Sequence, residues 1–216
     1  MSSNKLMYIV LLSLILFACS NKKEEKSENN LNNANIPGIS AALNNPDSLK
    51  KYLHAALSAP SMFTYPGKFD EDSVTHEYAA GTEISTKKES GIKFSLLKPD
   101  KDKLIISYQS RLLKGSFTKS AQRIVRPKGF TYDMIYYSSL NYFMGAKFGE
   151  IFTYLIDFKN KEIYYSHLFT TDGNSFSIFL SENVKDKSIK DYLLTPFQKD
   201  FSSALIVKKD VDLDNL

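Results

Sequence analysis

Three histidines, a single cysteine and several Ser-x-x-Lys spacings are the residues of this chain whose types could make or break bonds. Ser48 and Lys51 stand in the Ser-x-x-Lys spacing at a helix start, where a lysine can assist a serine nucleophile, and Ser139-Leu140-Asn141 could mimic a second motif of that chemistry. The same spacing recurs at Ser85 and Lys88, Ser90 and Lys93, Ser95 and Lys98, and Ser116 and Lys119, and no Lys-Thr-Gly follows. It therefore assigns nothing. His54, His76 and His167 form no His-x-x-x-His or His-Glu-x-x-His arrangement, so a zinc site would need ligands gathered from afar. His54 lies beside Leu53 on a helical pattern and His167 on an alternating strand, which favours packing or surface roles. Asp70-Glu71-Asp72 offers hard oxygens to calcium, but it lacks the spaced ligands and glycine of a known loop and reads as a solvated turn. No catalytic residue, metal or cofactor is assigned. An enzyme with a dispersed site around Asp70, Asp72 and His76 stands only as an alternative.

Charge and aromatic content point instead to surfaces. The formal net charge of +4 is too small for a nucleic-acid binder, and none is expected as a partner. From Lys114 to Lys128, however, Lys114, Lys119, Arg123, Arg126 and Lys128 occur with no acid among them. Such a run could meet anionic headgroups or an acidic partner, or it could be a strand edge guarded by cations. The chain has 13 tyrosines, 15 phenylalanines and no tryptophan. Tyrosine supplies rigid amphipathic contact area, so Tyr136, Tyr137, Tyr164 and Tyr165 could floor a recognition surface, with Tyr137 and Tyr164 as the candidates for partner contact. Neighbours on a strand face opposite ways, so one tyrosine of each pair joins the core and the other is exposed or covered by a helix.

These residues must be positioned by elements that the periodicity shows. Asn45-Pro46-Asp47-Ser48 opens a helix through cap chemistry and an early proline; Leu49, Leu53, Ala56 and Leu57 share one face, and Ala59-Pro60 ends it. The period then becomes two. Ile92, Phe94 and Leu96 alternate, Pro99 to Asp102 turns, and Leu104, Ile106 and Tyr108 continue the apolar side of a hairpin. Phe130, Tyr132, Met134 and Tyr136 make another strand. Phe152, Tyr154, Ile156 and Phe158 form one face of a meander, returning after Lys159-Asn160 through Ile163, Tyr165, His167 and Phe169. Asp172-Gly173 turns into Phe176, Ile178 and Leu180. Ser188 to Ala204 reads as helical, with Thr195-Pro196 restarting it, and Asp210 to Leu216 as a frayed end. The expected fold is α+β: one antiparallel sheet of about six to eight strands with an N-terminal and a C-terminal helix packed on it. An echo links Phe130 and Ile135-Tyr136-Tyr137-Ser138 to Phe158 and Ile163-Tyr164-Tyr165-Ser166, 28 residues on, which two similar strands of one sheet explain better than a repeat array.

The N-terminus carries the most specific pattern. After Lys5, an apolar run from Leu6 to Phe17, interrupted only by Ser13, ends in Leu16-Phe17-Ala18-Cys19. At about 13 residues this run falls short of the ~20 that span hydrocarbon, so it reads as a signal peptide. Leu16 to Cys19 resembles the lipobox of bacterial lipoproteins. That resemblance covers the signal segment alone and implies that Cys19 receives a diacylglyceryl group, that residues 1–18 are removed, and that the new amino group is acylated. Two or three chains hold firmly, since each buried CH₂ contributes roughly 0.8 kcal/mol. Ser20, in place of the aspartate that retains such proteins at the inner membrane in enterobacterial-type sorting, implies the outer membrane, on either its periplasmic face or the cell surface. Loss of Lys5 with the signal lowers the formal charge from +4 to +3.

Residues 19–36, rich in Lys, Glu, Ser and Asn, cannot bury enough apolar surface to offset their ordering entropy and are expected to form a tether. Residues 37–216 then form a single domain. The expected function is that of a lipid-anchored envelope protein that binds a partner without catalysis, with an immunity or inhibitor protein against an envelope-acting toxin or hydrolase as its sharper form. A carrier sheltering a lipid or small ligand against an aromatic sheet is the alternative. Cys19→Ala should abolish lipid attachment and processing and move the protein out of the membrane fraction; membrane attachment unchanged by that substitution would remove the lipobox assignment.

Overall fold

Asn45 opens the principal helix as its side chain dictates: Oδ1 accepts the backbone N–H groups of Asp47 and Ser48 at 2.9 and 3.2 Å, and Pro46 occupies the first helical position. This helix, α2 (Pro46–Leu57), follows a short α1 (Ile39–Leu43) and closes at Ser58, whose left-handed φ of 54° lets its N–H reach the His54 carbonyl. The computed structural model describes residues 39–70, 77–142, 149–170, 177–195 and 205–208. The expected signal peptide, the tether and the frayed C-terminus lie outside them. Among the described residues no helix is long and apolar enough to cross a membrane.

Among the described residues ten strands follow, in two sheets rather than one. β1 (Phe63–Gly67), β2 (Glu77–Ser85), β3 (Ser90–Asp100) and β4 (Lys103–Gln109) pair antiparallel in that order. The second sheet runs in the order β10-β9-β8-β7-β6-β5, from β5 (Ser120–Val125), β6 (Met134–Tyr142), β7 (Gly149–Asp157), β8 (Glu162–Thr170), β9 (Ser177–Leu180) and β10 (Leu205–Lys208). It is antiparallel except for β10, which pairs parallel to β9. The α+β class holds; the expected strand number and the single sheet do not. β2 explains part of the difference, because Glu77 to Thr82 are all buried, and a strand buried on both faces shows no alternation to read.

The two sheets face one another across an aromatic core, with Phe63, Phe69 and Phe94 from the first meeting Tyr137, Phe152 and Tyr154 from the second. The outer side of the first sheet carries Tyr78, Ala80, Leu97 and Leu104, packed beneath Ile39, Leu43, Leu53 and Leu57 of the two helices. The outer side of the second sheet carries Tyr136, Leu155, Leu168 and Ile178, packed beneath Ile189, Leu193 and Leu194 of α3 (Lys187–Leu194). The layers are thus helix, sheet, sheet, helix. Ser138, Thr153 and Ser166 stand opposite one another on β6, β7 and β8, and Ser166 Oγ donates to the Leu193 carbonyl at 2.9 Å. Their small side chains let α3 approach the sheet closely.

Two expectations change in detail, and a third falls partly outside the described residues. The hairpin of β3 and β4 has a bulge: Leu96 pairs with Tyr108 but Leu97 with Ile106, leaving Ser107 as the extra residue. The bulge reverses the facing of the chain, so Leu104 lies under the helices while Tyr108 packs against the inner core, and Ile106 is exposed. The strand expected from Phe130 begins at Met134, although Phe130 and Tyr132 do pack with Met134 and Tyr136 in the outer core. The C-terminal helix is seen from Lys187 to Leu194, capped by Asp186 through Ser188 and Ile189; its expected restart at Thr195-Pro196 and run to Ala204 fall on residues 196–204, which lie outside the described residues, and Leu205 to Lys208 form a strand. The 28-residue echo becomes β6 and β8, the two neighbours of β7. In each, the first tyrosine (Tyr136, Tyr164) packs with the outer core and the second (Tyr137, Tyr165) with the inner.

Gly81 leaves no room for a side chain in the inner core. A Cβ there would lie 2.2 Å from the Phe63 ring and 2.7 Å from Phe117. Gly81→Ala should therefore destabilise the fold by about 1–3 kcal/mol through overpacking, read as a lower midpoint in thermal unfolding; an unchanged midpoint would refute this account of the packing.

Candidate functional site

Strand β5 is the edge of the second sheet, and the basic run that the sequence singles out lies on it and on the segments flanking it. Lys119 is exposed in the turn leading into it, Arg123 on the strand, and Arg126 and Lys128 beyond its end. Register places Arg123 opposite Tyr136, and its guanidinium lies 4.2 Å from the centre of that ring. The cation thereby covers a tyrosine that is otherwise part of the outer core. Arg126 donates through Nε and Nη2 to Asp133 Oδ1 at 3.0 and 2.7 Å, while Asp133 Oδ2 accepts the Lys68 N–H at 2.9 Å. The Asp133 N–H in turn donates to the Lys68 carbonyl. This pairing brings Lys68, exposed just after β1, to the same seam. Tyr65 of β1 donates its hydroxyl to the Gln122 carbonyl at 3.1 Å, which ties strand β5 to the other sheet.

The candidates from the sequence do not all gather here. Lys114 is half-buried in the loop over the inner core, where its carbonyl accepts the Tyr154 hydroxyl at 2.9 Å. Tyr137 is fully buried; its hydroxyl donates to the Ser116 carbonyl at 2.8 Å and its ring packs between Phe94, Phe117 and Tyr154. It belongs to the core because its strand parity points it between the sheets, and it contributes nothing to a recognition surface. Tyr164 is half-buried on the outer face, in one cross-strand row with Arg123, Tyr136 and Leu155. Lys68 and the buried Asp133 are the members of this seam that sequence reasoning missed, while Tyr136, a candidate from the sequence, lies buried beneath Arg123. Their link to Arg123 and Arg126 depends on the register of β5 against β6 and on contact between two sheets, neither of which leaves a periodic signal.

The other candidate groups are structural. His167 stacks on Phe152 with ring centres 4.3 Å apart, and its Nε2 lies 3.2 Å from Glu150 Oε2. His54 is exposed on the last turn of α2. Asp70 pairs with Lys98 at 2.7 Å, and Lys98 also meets the fully buried Glu77 at 3.0 Å. Burial works against the Lys98 ammonium, but the two carboxylates outweigh it and hold its pKa above the ordinary lysine value. Glu77 Oε2 accepts the N–H groups of Phe69 and Asp70, both at 2.8 Å, which makes the cluster a clamp on the loop after β1. Glu71, Asp72 and His76 lie outside the described residues. Among the described residues no group of three or more His, Cys, Asp or Glu is placed to hold a metal. An open groove of about 690 Å³ beside α3 is lined by Leu180, Val184, Lys185, Lys187, Lys190 and Asp191, with Lys187 and Asp191 paired at 2.8 Å.

No known family model, curated protein or solved structure matches this chain. The geometry must therefore carry any functional reading. As an arrangement, the β5 edge can bind anions through side chains held on a rigid strand, but it assembles no nucleophile, base or metal ligand set.

The buried tyrosines make a separate, measurable demand. Burial pushes Tyr137 up to about 12, and burial followed by the charges of Asp157, Glu162 and Asp186 pushes Tyr164 to about 12. Burial also raises Tyr154 well above its usual value. A tyrosine whose folded pKa exceeds its unfolded value of about 10 contributes stability that is complete below that pH and is lost as pH rises through the folded value. Thermal stability should hold from pH 7 to about 9.5 and fall steeply between about 10 and 12, in step with tyrosinate absorbance. Native-state titration of all tyrosines near 10 without loss of stability would contradict the buried ladder.

Proposed function

We propose that this protein is a bacterial envelope lipoprotein whose domain, tethered to the membrane through a lipidated Cys19, binds a partner protein by surface complementarity rather than by bond-making. The observation that carries the binding half of this reading is the β5 edge, where Lys119, Arg123 and Lys128 are exposed with no ion-pair partner among the described residues. Cations that serve only solubility are usually dispersed among acids, whereas these are grouped on one strand and its flanking turns. The anchoring half rests on Leu16-Phe17-Ala18-Cys19, and Ser20 favours the outer membrane. An immunity or inhibitor protein acting on an envelope toxin or hydrolase is the sharper form of the same reading, since it needs an address, a rigid sheet and a partner-shaped patch.

The carrier alternative draws less support. Its cavity would lie most naturally between the sheets, and that space is occupied by the fully buried side chains of Phe69, Phe94, Tyr137, Phe152 and Tyr154. Cross-linking and pull-down of the lipidated chain from its own membranes should recover the same protein partner in repeated preparations. Recovery of lipid alone would sink the reading. Protease shaving of intact cells assigns the face: loss of the domain places it on the surface, protection in the periplasm.

A further inference from the structure

The cations of the β5 edge differ in how they are held, and that difference bears on what they meet. Arg126 is already committed to Asp133 through two hydrogen bonds, and its role is to join the sheets. Lys119 and Lys128 are exposed, and neither has an ion-pair partner among the described residues. Arg123 lies over Tyr136 at 4.2 Å, so its planar guanidinium is pre-set against an aromatic face with its N–H edge available to a planar anion. Strand β5 sets Arg123 four residues from Lys119, roughly 13 Å at the strand rise, and Lys128 lies three residues beyond the strand's end, so the cations follow one another along the chain at this edge. A phosphate pocket needs converging donors. A row of this kind fits several carboxylates distributed over a protein surface.

The ground beside this row is of mixed sign. Ser188 of α3 donates its hydroxyl to the Lys128 carbonyl at 3.1 Å, which sets the start of that helix against the basic row. The helix and its cap present exposed Asp186 and Lys187, with Asp191 paired to Lys187. Asp186 caps the helix, and its hydrogen bonds from Ser188 and Ile189 hold its carboxyl below the usual aspartate value, so it stays charged. Asp186 and Asp191 stand here among Lys185, Lys187 and Lys190, an interleaving of both signs that another protein can answer charge by charge.

We propose that the surface formed by Lys119, Arg123 and Lys128 beside the start of α3 is the docking site for an acidic face of a partner protein. This inference rests on the binding role proposed above and names the chemistry of the partner. Lys119 and Lys128 supply long-range attraction and Arg123 the directed contact, by a bidentate pair with one Asp or Glu.

The test uses the full lipidated chain in neutral phosphatidylcholine nanodiscs, with poly-L-glutamate as the probe. Lys119→Glu/Lys128→Glu should weaken binding by roughly tenfold or more, while Lys50→Glu/Lys51→Glu, an equal charge change on the exposed side of α2, should change it little. Arg123→Lys, which keeps the charge but loses the fork, should weaken binding several-fold, with the thermal midpoint recorded as a check on folding. Equal losses in the two double variants would overturn the proposal, since binding would then follow net charge alone. Tighter binding to polyphosphate or to phosphatidylglycerol vesicles than to poly-L-glutamate would also overturn it, in favour of a phosphate-bearing ligand. If a partner recovered by pull-down is retained by Lys119→Glu/Lys128→Glu, the surface is wrong while the binding role stands. If no partner is recovered at all, the binding role itself fails.

Discussion

The aromatic layer between the two sheets is the constraint on which the rest of this protein depends. With one cysteine in the chain, no intrachain disulfide can hold the sheets together, so their packing must do so. Phe63, Phe69, Phe94, Phe152 and Phe158 supply the apolar area, and Tyr137, Tyr154 and Tyr165 add rings carrying a polar end. Such an end is costly to bury without a partner. The loop between β4 and β5 provides two of the partners, as the carbonyls of Lys114 and Ser116 accept the hydroxyls of Tyr154 and Tyr137. The core therefore orders that loop, and the loop delivers Lys119 to the start of β5. Gly115 permits the close pass: its φ of 140° is hard for other residues, and a Cβ would lie 2.7 Å from the Tyr137 oxygen.

Two charged clusters at the margins complete the join. Asp133 accepts from Arg126 and from the Lys68 backbone, linking the start of β6 to the end of β1. Glu77, Lys98 and Asp70 do similar work within the first sheet, with the buried Glu77 holding two backbone N–H groups through Oε2 and facing the Lys98 ammonium through Oε1 at 3.0 Å. Removing one member of such a cluster costs more than the interaction is worth, because the remaining charge is left buried and unpaired. A third polar cluster, in which Asp157 accepts from the Tyr132 hydroxyl and from Asn160, ties the β7–β8 turn to the strand before it. The surface charges have more freedom, and the β5 cations lie beside this rigid seam rather than within it.

Local chemistry was legible wherever a residue answers to its near neighbours. The Asn45 cap, the Lys159-Asn160 turn and the alternation of β7 and β8 need only short-range rules, and the 28-residue echo turned out to be two strands flanking a third. Legibility failed where burial came from both sides, as in β2, or where one residue shifted the register, as at Ser107. It failed too for the C-terminal segment, because Leu205 to Lys208 are strand only through pairing with β9. For the candidate surface, the basic run was visible in the sequence, but Tyr137 and Lys114 were placed on it when they belong to the core and its covering loop.

By itself, then, the sequence determined the α+β class, the strand faces of the meander, and the concentration of cations between Lys114 and Lys128, because each depends on residue type at fixed local spacing. Tertiary structure decided that there are two sheets rather than one, that each is covered by helices on its outer side, and which of the cations share an edge. Those outcomes depend on contacts between residues far apart in the chain, such as Lys68 with Asp133 and Tyr65 with Gln122. The stability of such contacts depends on the whole core being in place, and no local pattern encodes them.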